Sequence, residues 1–241
     1  MTCVTFFLQS RDGPLRQLSE NTLGQAVAKP TPGGRQRRSA AVGARYNLLA
    51  GLYDAVDLAE VLYKRRARAL LFAGLEGRVL DAGVGTGWSI PFYPAGAEAV
   101  GMDLSPGMLQ HAQTRGRRLG KAVDLVAMDL MNTGFPDASF DAVASAFTFC
   151  TLEESQQRPA LSEMARILKP GGELRILDYA LSRRPLVRLG MRAWQVWERA
   201  VFHGAFDRHT ERYLEPAGFT LIREQSFAGD MVRLFIARRN A

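Results

Sequence analysis

From Arg45 onward, apolar residues come in bursts of strand length separated by stretches with helical spacing. The bursts predict strands at Arg78–Ala82, Glu98–Asp103, Asp124–Met128, Asp141–Ala146, Glu173–Tyr179, Thr220–Ser226 and Met231–Arg238. Between and around them, helices are predicted at 87–95, 105–117, 153–168, 185–203 and 209–217. An earlier helical pattern runs through Leu58, Val61, Leu62, Ala69 and Leu70, which puts Lys64, Arg65, Arg66 and Arg68 on its wet side. Strand and helix alternating at this rhythm imply βαβ units. The expected fold is therefore α/β, a doubly wound, mostly parallel seven-stranded sheet covered on both faces. Only Phe227 to Asp230 joins the final two strands, too few residues for a crossover, so the last strand should run antiparallel.

The 44 residues ahead of this region lack a hydrophobic period and contain Pro30-Thr31-Pro32-Gly33-Gly34. Arg11, Arg16, Lys29, Arg35, Arg37 and Arg38 outweigh Asp12 and Glu20 there. Residues 1–44 are expected to form a basic, disordered arm, with 45–241 as the folded domain; a targeting peptide or a basic tether is the alternative for the arm. Over the 241 residues, hydrophobic types make up 47% and charged types 23%, which fits a globular chain and not general disorder. No apolar run reaches the length of a membrane span. Cys3 and Cys150 are far apart, so neither a disulfide framework nor a structural zinc site is expected, and a reducing cytoplasm fits. His111, His203 and His209 show no metal-ligand spacing. A net charge of +7 favours polyanionic partners without choosing among nucleic acid, anionic lipid and phosphorylated ligands.

The segment with the most chemistry is Val79-Leu80-Asp81-Ala82-Gly83-Val84-Gly85-Thr86-Gly87. A buried strand runs into a turn with glycine at alternate positions, where a ligand can lie against bare backbone. Asp103 ends the next strand, at the distance where a carboxylate can accept both hydroxyls of a ribose. Trp88 stands where a dinucleotide fingerprint would have its third glycine, so a nucleoside without a pyrophosphate is the favoured ligand. Other readings stay open: Asp103 could cap the helix starting at Pro106, a task for which Ser105 is better suited, and Asp129 could simply end its strand.

With Gly101-Met102-Asp103-Leu104-Ser105-Pro106-Gly107-Met108-Leu109, Phe135-Pro136-Asp137-Ala138-Ser139-Phe140-Asp141 and Glu163-Met164-Ala165-Arg166-Ile167-Leu168-Lys169-Pro170-Gly171-Gly172, the chain resembles the class I S-adenosylmethionine-dependent methyltransferases over about residues 45–238. The resemblance implies a Rossmann-like methyltransferase fold, S-adenosylmethionine as cofactor and S-adenosylhomocysteine as product. It also implies that Asp81, Gly83, Gly85, Thr86 and Gly87 hold the methionine part and that Asp103 holds the ribose, with Leu104 and Met108 in the donor site. By the same similarity Asp129 and Leu130 bind the adenine amine, and Phe147 lies near the methyl group. No metal is implied.

Acceptor residues are less legible. Arg45-Tyr46-Asn47-Leu48-Leu49-Ala50-Gly51-Leu52-Tyr53-Asp54 is similar to the entrance helix of quinone-biosynthesis and bacterial phosphatidylethanolamine methyltransferases, whose tyrosines face the site. Tyr46, Tyr179 and His209 are the catalytic candidates, each weighed against ordinary packing. On the helix after Tyr179, Arg184, Arg188, Arg192 and Arg199 share a sector, and Leu186, Trp194, Trp197 and Val201 lie roughly opposite. Such a helix either lies on an anionic bilayer or packs its apolar side on the core. Nucleic acid is disfavoured as acceptor because Ser145-Ala146-Phe147-Thr148 stands where base-amine methyltransferases carry Asn/Asp-Pro-Pro-Tyr, and two distant cysteines do not suit arsenite. The acceptor is expected to be a small molecule or lipid. The amine of phosphatidylethanolamine ranks first, a quinone precursor methylated on carbon is the alternative, and a donor-binding protein without catalysis is a third.

Overall fold

The computed structural model describes residues 61–201 and 205–240. The predicted arm and the segment holding Tyr46 and Tyr53 lie outside them. Seven strands form one sheet: β1 (Arg78–Ala82), β2 (Glu98–Asp103), β3 (Asp124–Ala127), β4 (Phe140–Ala146), β5 (Leu168–Tyr179), β6 (Phe219–Phe227) and β7 (Val232–Arg239). The described helices are α1 (Val61–Phe72), α2 (Pro106–Arg118), α3 (Glu154–Ile167) and α4 (Pro185–Val201).

The strand order is β3-β2-β1-β4-β5-β7-β6. β1 to β5 pair in parallel, and β7 is antiparallel to both neighbours, as the short final connection requires. The order reverses between β1 and β4, and open α/β sheets bind ligands in the crevice outside such a point. In register, Asp81 sits beside Gly101 and Ala144, and Asp103 beside Ala127. Tyr179 ends β5 opposite Val232.

Alternate residues along the strands feed two cores. On one face Leu80, Phe140, Val143 and Ile176 pack with Leu161, Met164 and Ile167 of α3. On the other, Val79, Ala142, Ala144 and Leu177 pack with Ala67, Leu71 and Phe72 of α1 and Ala112 of α2. Arg175 pins α1 to this second face. It is buried inside β5 and donates from Nη1 to the carbonyls of Leu70 at 3.2 Å, Leu71 at 3.0 Å and Ala73 at 2.7 Å, while pairing with Glu173. These are the carbonyls that a helix end leaves without partners.

Three expectations change. The helix predicted at 87–95 is only a 3-10 turn, Ile90–Phe92, because Pro91 and Pro94 remove amide donors and restrict the residues before them. The one at 209–217 divides into the turns Thr210–Tyr213 and Glu215–Ala217, with Pro216 inside the second and Gly218 closing it at φ 88°. The third concerns α1: Lys64 and Arg68 are buried, along with Ala67 and Leu71, whereas Ala69 is exposed. Residues 64, 67, 68 and 71 form one stripe at i, i+3, i+4 and i+7, so the run of four cations divides between the two sides of the helix.

Replacing Arg175 by Met keeps the bulk but leaves the α1 carbonyls and Glu173 without their donor. The expected outcome in urea denaturation is a loss of about 2–4 kcal/mol with an unchanged m-value.

Candidate functional site

The turn after β1 is built around its glycines. Gly83, Gly85 and Gly87 have φ of 83°, 54° and 84°. A Cβ on Gly83 would stand 2.1 Å from Thr148 Oγ1, and one on Gly87 would stand 2.9 Å from the Ala112 backbone. Over Gly85 no atom of the described residues lies within 4 Å, so among them the turn is open at that point. Gly83 and Val84 donate their amides to Met102 O at 2.8 Å each, Gly87 to Val84 O at 3.0 Å, and Gly85 to Asp103 Oδ2 at 3.0 Å. These four amides are thus spent inside the protein and not turned to a phosphate, in line with the position of Trp88.

Side chains brace the turn from both sides. Ser145 of β4 donates to Ala82 O at 2.8 Å. From α2, Arg115 donates to Thr86 O at 2.9 Å and lies over the Trp88 ring at 4.0 Å. Lys121 donates to the carbonyls of Ile90, Pro91 and Tyr93 at 3.1–3.2 Å, which positions Tyr93.

Tyr93 in turn donates its hydroxyl to Asp81 Oδ2 at 2.5 Å. Asp81 is buried, and its Oδ1 has no hydrogen-bond partner among the described residues. Desolvation pushes its pKa up to about 7, against the lowering effects of Tyr93 and then Arg68. Asp103 is also raised, chiefly by burial, although its carboxylate accepts from the Ser105 amide at 2.8 Å as well as from Gly85. Ser105, not Asp103, caps α2, accepting from Met108 N at 3.2 Å. That leaves Asp103 at the strand end facing the glycine turn, with Leu104 half-buried and Met108 buried beside it. Asp129 follows β3; its Oδ1 accepts from the Met131 amide at 2.9 Å, so it does shape its own turn, and Leu130 after it is buried.

Phe147 follows β4 in the left-handed region, φ 57°, held by its amide's bond to Leu177 O at 2.8 Å. A bulky residue in that conformation is strained and depends on its surroundings. Its ring lies 4.9 Å from Tyr179, which in turn lies 5.2 Å from Phe206. The buried cations of α1 join them: Lys64 Nζ is 4.8 Å from the Phe147 ring and 5.5 Å from Tyr179, and the Arg68 guanidinium is 5.1 Å from Phe147. Beneath this wall Asp178 accepts from the Cys150 amide at 2.7 Å, and burial pushes its pKa up to about 6.

Tyr179 is thus brought to Phe147. His209 occupies a left-handed, exposed position with Nδ1 3.3 Å from Glu211. Tyr46 lies outside the described residues. Sequence reasoning did not single out Lys64, Arg68, Tyr93 or Asp178. For Asp178 a signal existed, since a carboxylate closing the apolar run Leu174-Arg175-Ile176-Leu177 parallels Asp81 after Val79-Leu80.

Residues 79–172 match a methyltransferase-domain family. Demethylmenaquinone methyltransferase of Thermus thermophilus is 35% identical over 141 residues, 57% of this chain and 62% of that protein. Phosphatidylethanolamine N-methyltransferase of Cereibacter sphaeroides is 36% identical over 125 residues, 51% of this chain and 61% of that protein. With demethylmenaquinone methyltransferase of Tropheryma whipplei, 34% identical, the alignment covers 65% of this chain and 67% of that protein. The chain belongs to the S-adenosylmethionine-dependent methyltransferase family. It spans about three fifths of the length of the first two relatives. The crystal structure of the [4+2]-cyclase SpnF shares the fold, with a TM-score of 0.66 at 19% identity over 83% of this chain and 95% of that one. A fold shared with a cyclase leaves the reaction to be argued from the site.

The residues present fit S-adenosylmethionine: an orphaned, buried carboxylate oxygen on Asp81 calls for a cation, and the space over Gly85 admits a ligand beside Asp103. The unfolded chain releases the Asp81 proton near pH 4 and the folded one near 7, so stability without donor should fall as pH rises between them. Asp81→Asn should flatten that fall when unfolding free energy is measured from pH 5 to 8. A bound cation reverses the preference, so in calorimetry donor affinity should rise through pH 7, and the variant should bind at least about tenfold more weakly.

Proposed function

We propose that this chain transfers a methyl group from S-adenosylmethionine to a ring carbon of a quinol precursor. The observation that carries this reading is the pair of buried cations, Lys64 and Arg68, set against the Phe147–Tyr179 rings. The donor, when bound, supplies a methyl group already activated on a positively charged sulfur. The remaining requirement is a nucleophilic carbon, which a hydroxylated ring provides once its hydroxyl is ionised. Cations beside that oxygen lower its pKa and hold the anion, while aromatic side chains give a flat ring a matching surface. The carbon–carbon bond would form as the carbon–sulfur bond breaks, its electron pair leaving with the neutral thioether S-adenosylhomocysteine, and the ring carbon would then give its proton to solvent, restoring aromaticity. Relatives named demethylmenaquinone methyltransferases support the same acceptor class.

On this reading Asp81 and the Gly83–Gly87 turn with Thr86 hold the methionine part of the donor. Asp103 takes the ribose, Leu104, Met108, Asp129 and Leu130 surround the adenine, and Phe147 separates donor from acceptor. Tyr179 belongs to the acceptor wall. His209, turned to Glu211 and solvent, is given no step.

Phosphatidylethanolamine, ranked first from the sequence, becomes the second reading, favoured by the likeness to the Cereibacter sphaeroides enzyme. An ammonium headgroup must shed a proton before it can attack. Either acceptor resides in bilayers, so the protein is expected to meet a membrane peripherally. Among the described residues no helix is long and apolar enough to cross one.

Incubation with methyl-labelled donor and either a dihydroxynaphthalene acceptor or phosphatidylethanolamine vesicles separates the two. Label is expected on the naphthalene ring; label on the aminophospholipid alone would sink the proposal. Lys64→Met should lower kcat/KM for the quinol about ten- to a hundredfold and move its alkaline rise to higher pH, with donor affinity by calorimetry unchanged.

A further inference from the structure

Over residues 185–196, where its side chains are described, helix α4 rests on the fold by a narrow strip. Met191 and Gln195 are buried and Val187 is half-buried. Met191 Sδ accepts from the Ser182 amide at 3.4 Å, and Gln195 Oε1 accepts from the Phe206 amide at 3.4 Å. The large apolar side chains point the other way: Leu186 is 84% exposed, Val196 73%, Leu189 67% and Trp194 53%. This inverts the packing expectation, in which the apolar side would lie on the core. Elsewhere among the described residues, exposed large apolar side chains are scattered, as at Leu119, Leu221 and Ile222. On α4 they form one face.

Arg188 and Arg192 are exposed along one edge of that face, and Arg183 and Arg184 are exposed at its N-terminal end. Among the described residues two acidic groups stand at that end: Glu224, with Oε1 3.8 Å from Arg183 Nη2, and Asp230, whose Oδ2 accepts the Arg183 amide at 2.8 Å and whose pKa is lowered chiefly by its hydrogen bonds to Ser182 and to that amide. We infer that this outward face of α4 docks the protein on an anionic lipid bilayer, with Leu186, Leu189 and Val196 entering the interface and the arginines meeting headgroup charge. Apolar residues flanked by cations are complementary to a negatively charged leaflet. A two-fold pairing of two copies through the same face would instead bring the arginine-bearing parts of both toward one another. The buried side of the helix reaches the wall assigned to the acceptor, since Gln195 accepts the amide of Phe206, whose ring lies 5.2 Å from Tyr179. The inference extends the reading of a bilayer-resident acceptor by saying how the protein reaches it.

The test is sedimentation of the full chain with vesicles of phosphatidylcholine alone or of equal parts phosphatidylcholine and phosphatidylglycerol. Binding is expected to the mixed vesicles, weakening as salt rises. Leu189→Glu with Val196→Glu should cut it at least about tenfold although the basic arm is intact, and Arg188→Ser with Arg192→Ser should weaken it and reduce its salt dependence. Since all four positions are exposed, melting temperatures and turnover of the water-soluble dihydroxynaphthalene should be unchanged. That separates failure of docking from failure of the quinol reading. Equal binding by wild type and the Leu189/Val196 variant would overturn the inference. So would a concentration-dependent dimer in vesicle-free buffer that the same variant abolishes, because the face would then serve self-association.

Discussion

A carboxylate held where water cannot reach it constrains much of the described structure. Asp81 lies near the end of the strand beside the point where the sheet order reverses, with one oxygen taken by Tyr93 and the other without a hydrogen-bond partner among the described residues. Keeping that group charged near neutral pH costs free energy, and the fold meets the cost by rigidity around it. Lys121 fixes the segment bearing Tyr93, Arg115 and Trp88 brace the glycine turn, and Ser145 ties the turn to the neighbouring strand. Such an arrangement disfavours the empty site and favours a cation, which is the electrostatic preorganisation that binding a charged ligand in a dry crevice requires.

Charged groups of both signs line the strand ends. Carboxylates, Asp81 and Asp103, stand at the ends of β1 and β2, while the cations Lys64 and Arg68 stand beside Phe147 and Tyr179 at the ends of β4 and β5. Phe147, held at a positive φ by the bond of its amide to Leu177, is the aromatic group those cations approach. On the proposed reading, the carboxylates would face a cationic donor and the cations an anionic acceptor, with the reacting atoms between. Proximity and orientation can then supply much of the rate.

Most of the sheet was legible because each strand's burial writes a pattern that only its neighbours modify. The helix boundaries at α2, α3 and α4 came out close to those predicted, and the two that failed, at 87–95 and 209–217, contain prolines whose missing amides break a helix that periodicity alone suggests. Donor-side residues were legible for a related reason: a strand, a glycine turn and a following acidic strand end are adjacent in sequence, so local geometry carries them together. The acceptor wall was not, because it joins α1, the end of β4, the end of β5 and Phe206, four places that meet only when the sheet closes.

The amino-acid sequence by itself determined the α/β alternation, the antiparallel final strand, the glycine turn with its two carboxylates and the family those motifs resemble. These rest on period, spacing and the dihedral freedom of glycine, all properties of short segments. Only the tertiary structure decided which cations of Lys64-Arg65-Arg66-Ala67-Arg68 turn inward and which side of α4 is left to the outside. A helix carries its residues on every side, and the neighbour it packs against selects the buried one. Arg175 and the aromatic cluster make that selection for α1, and the narrow Met191–Gln195 strip makes it for α4.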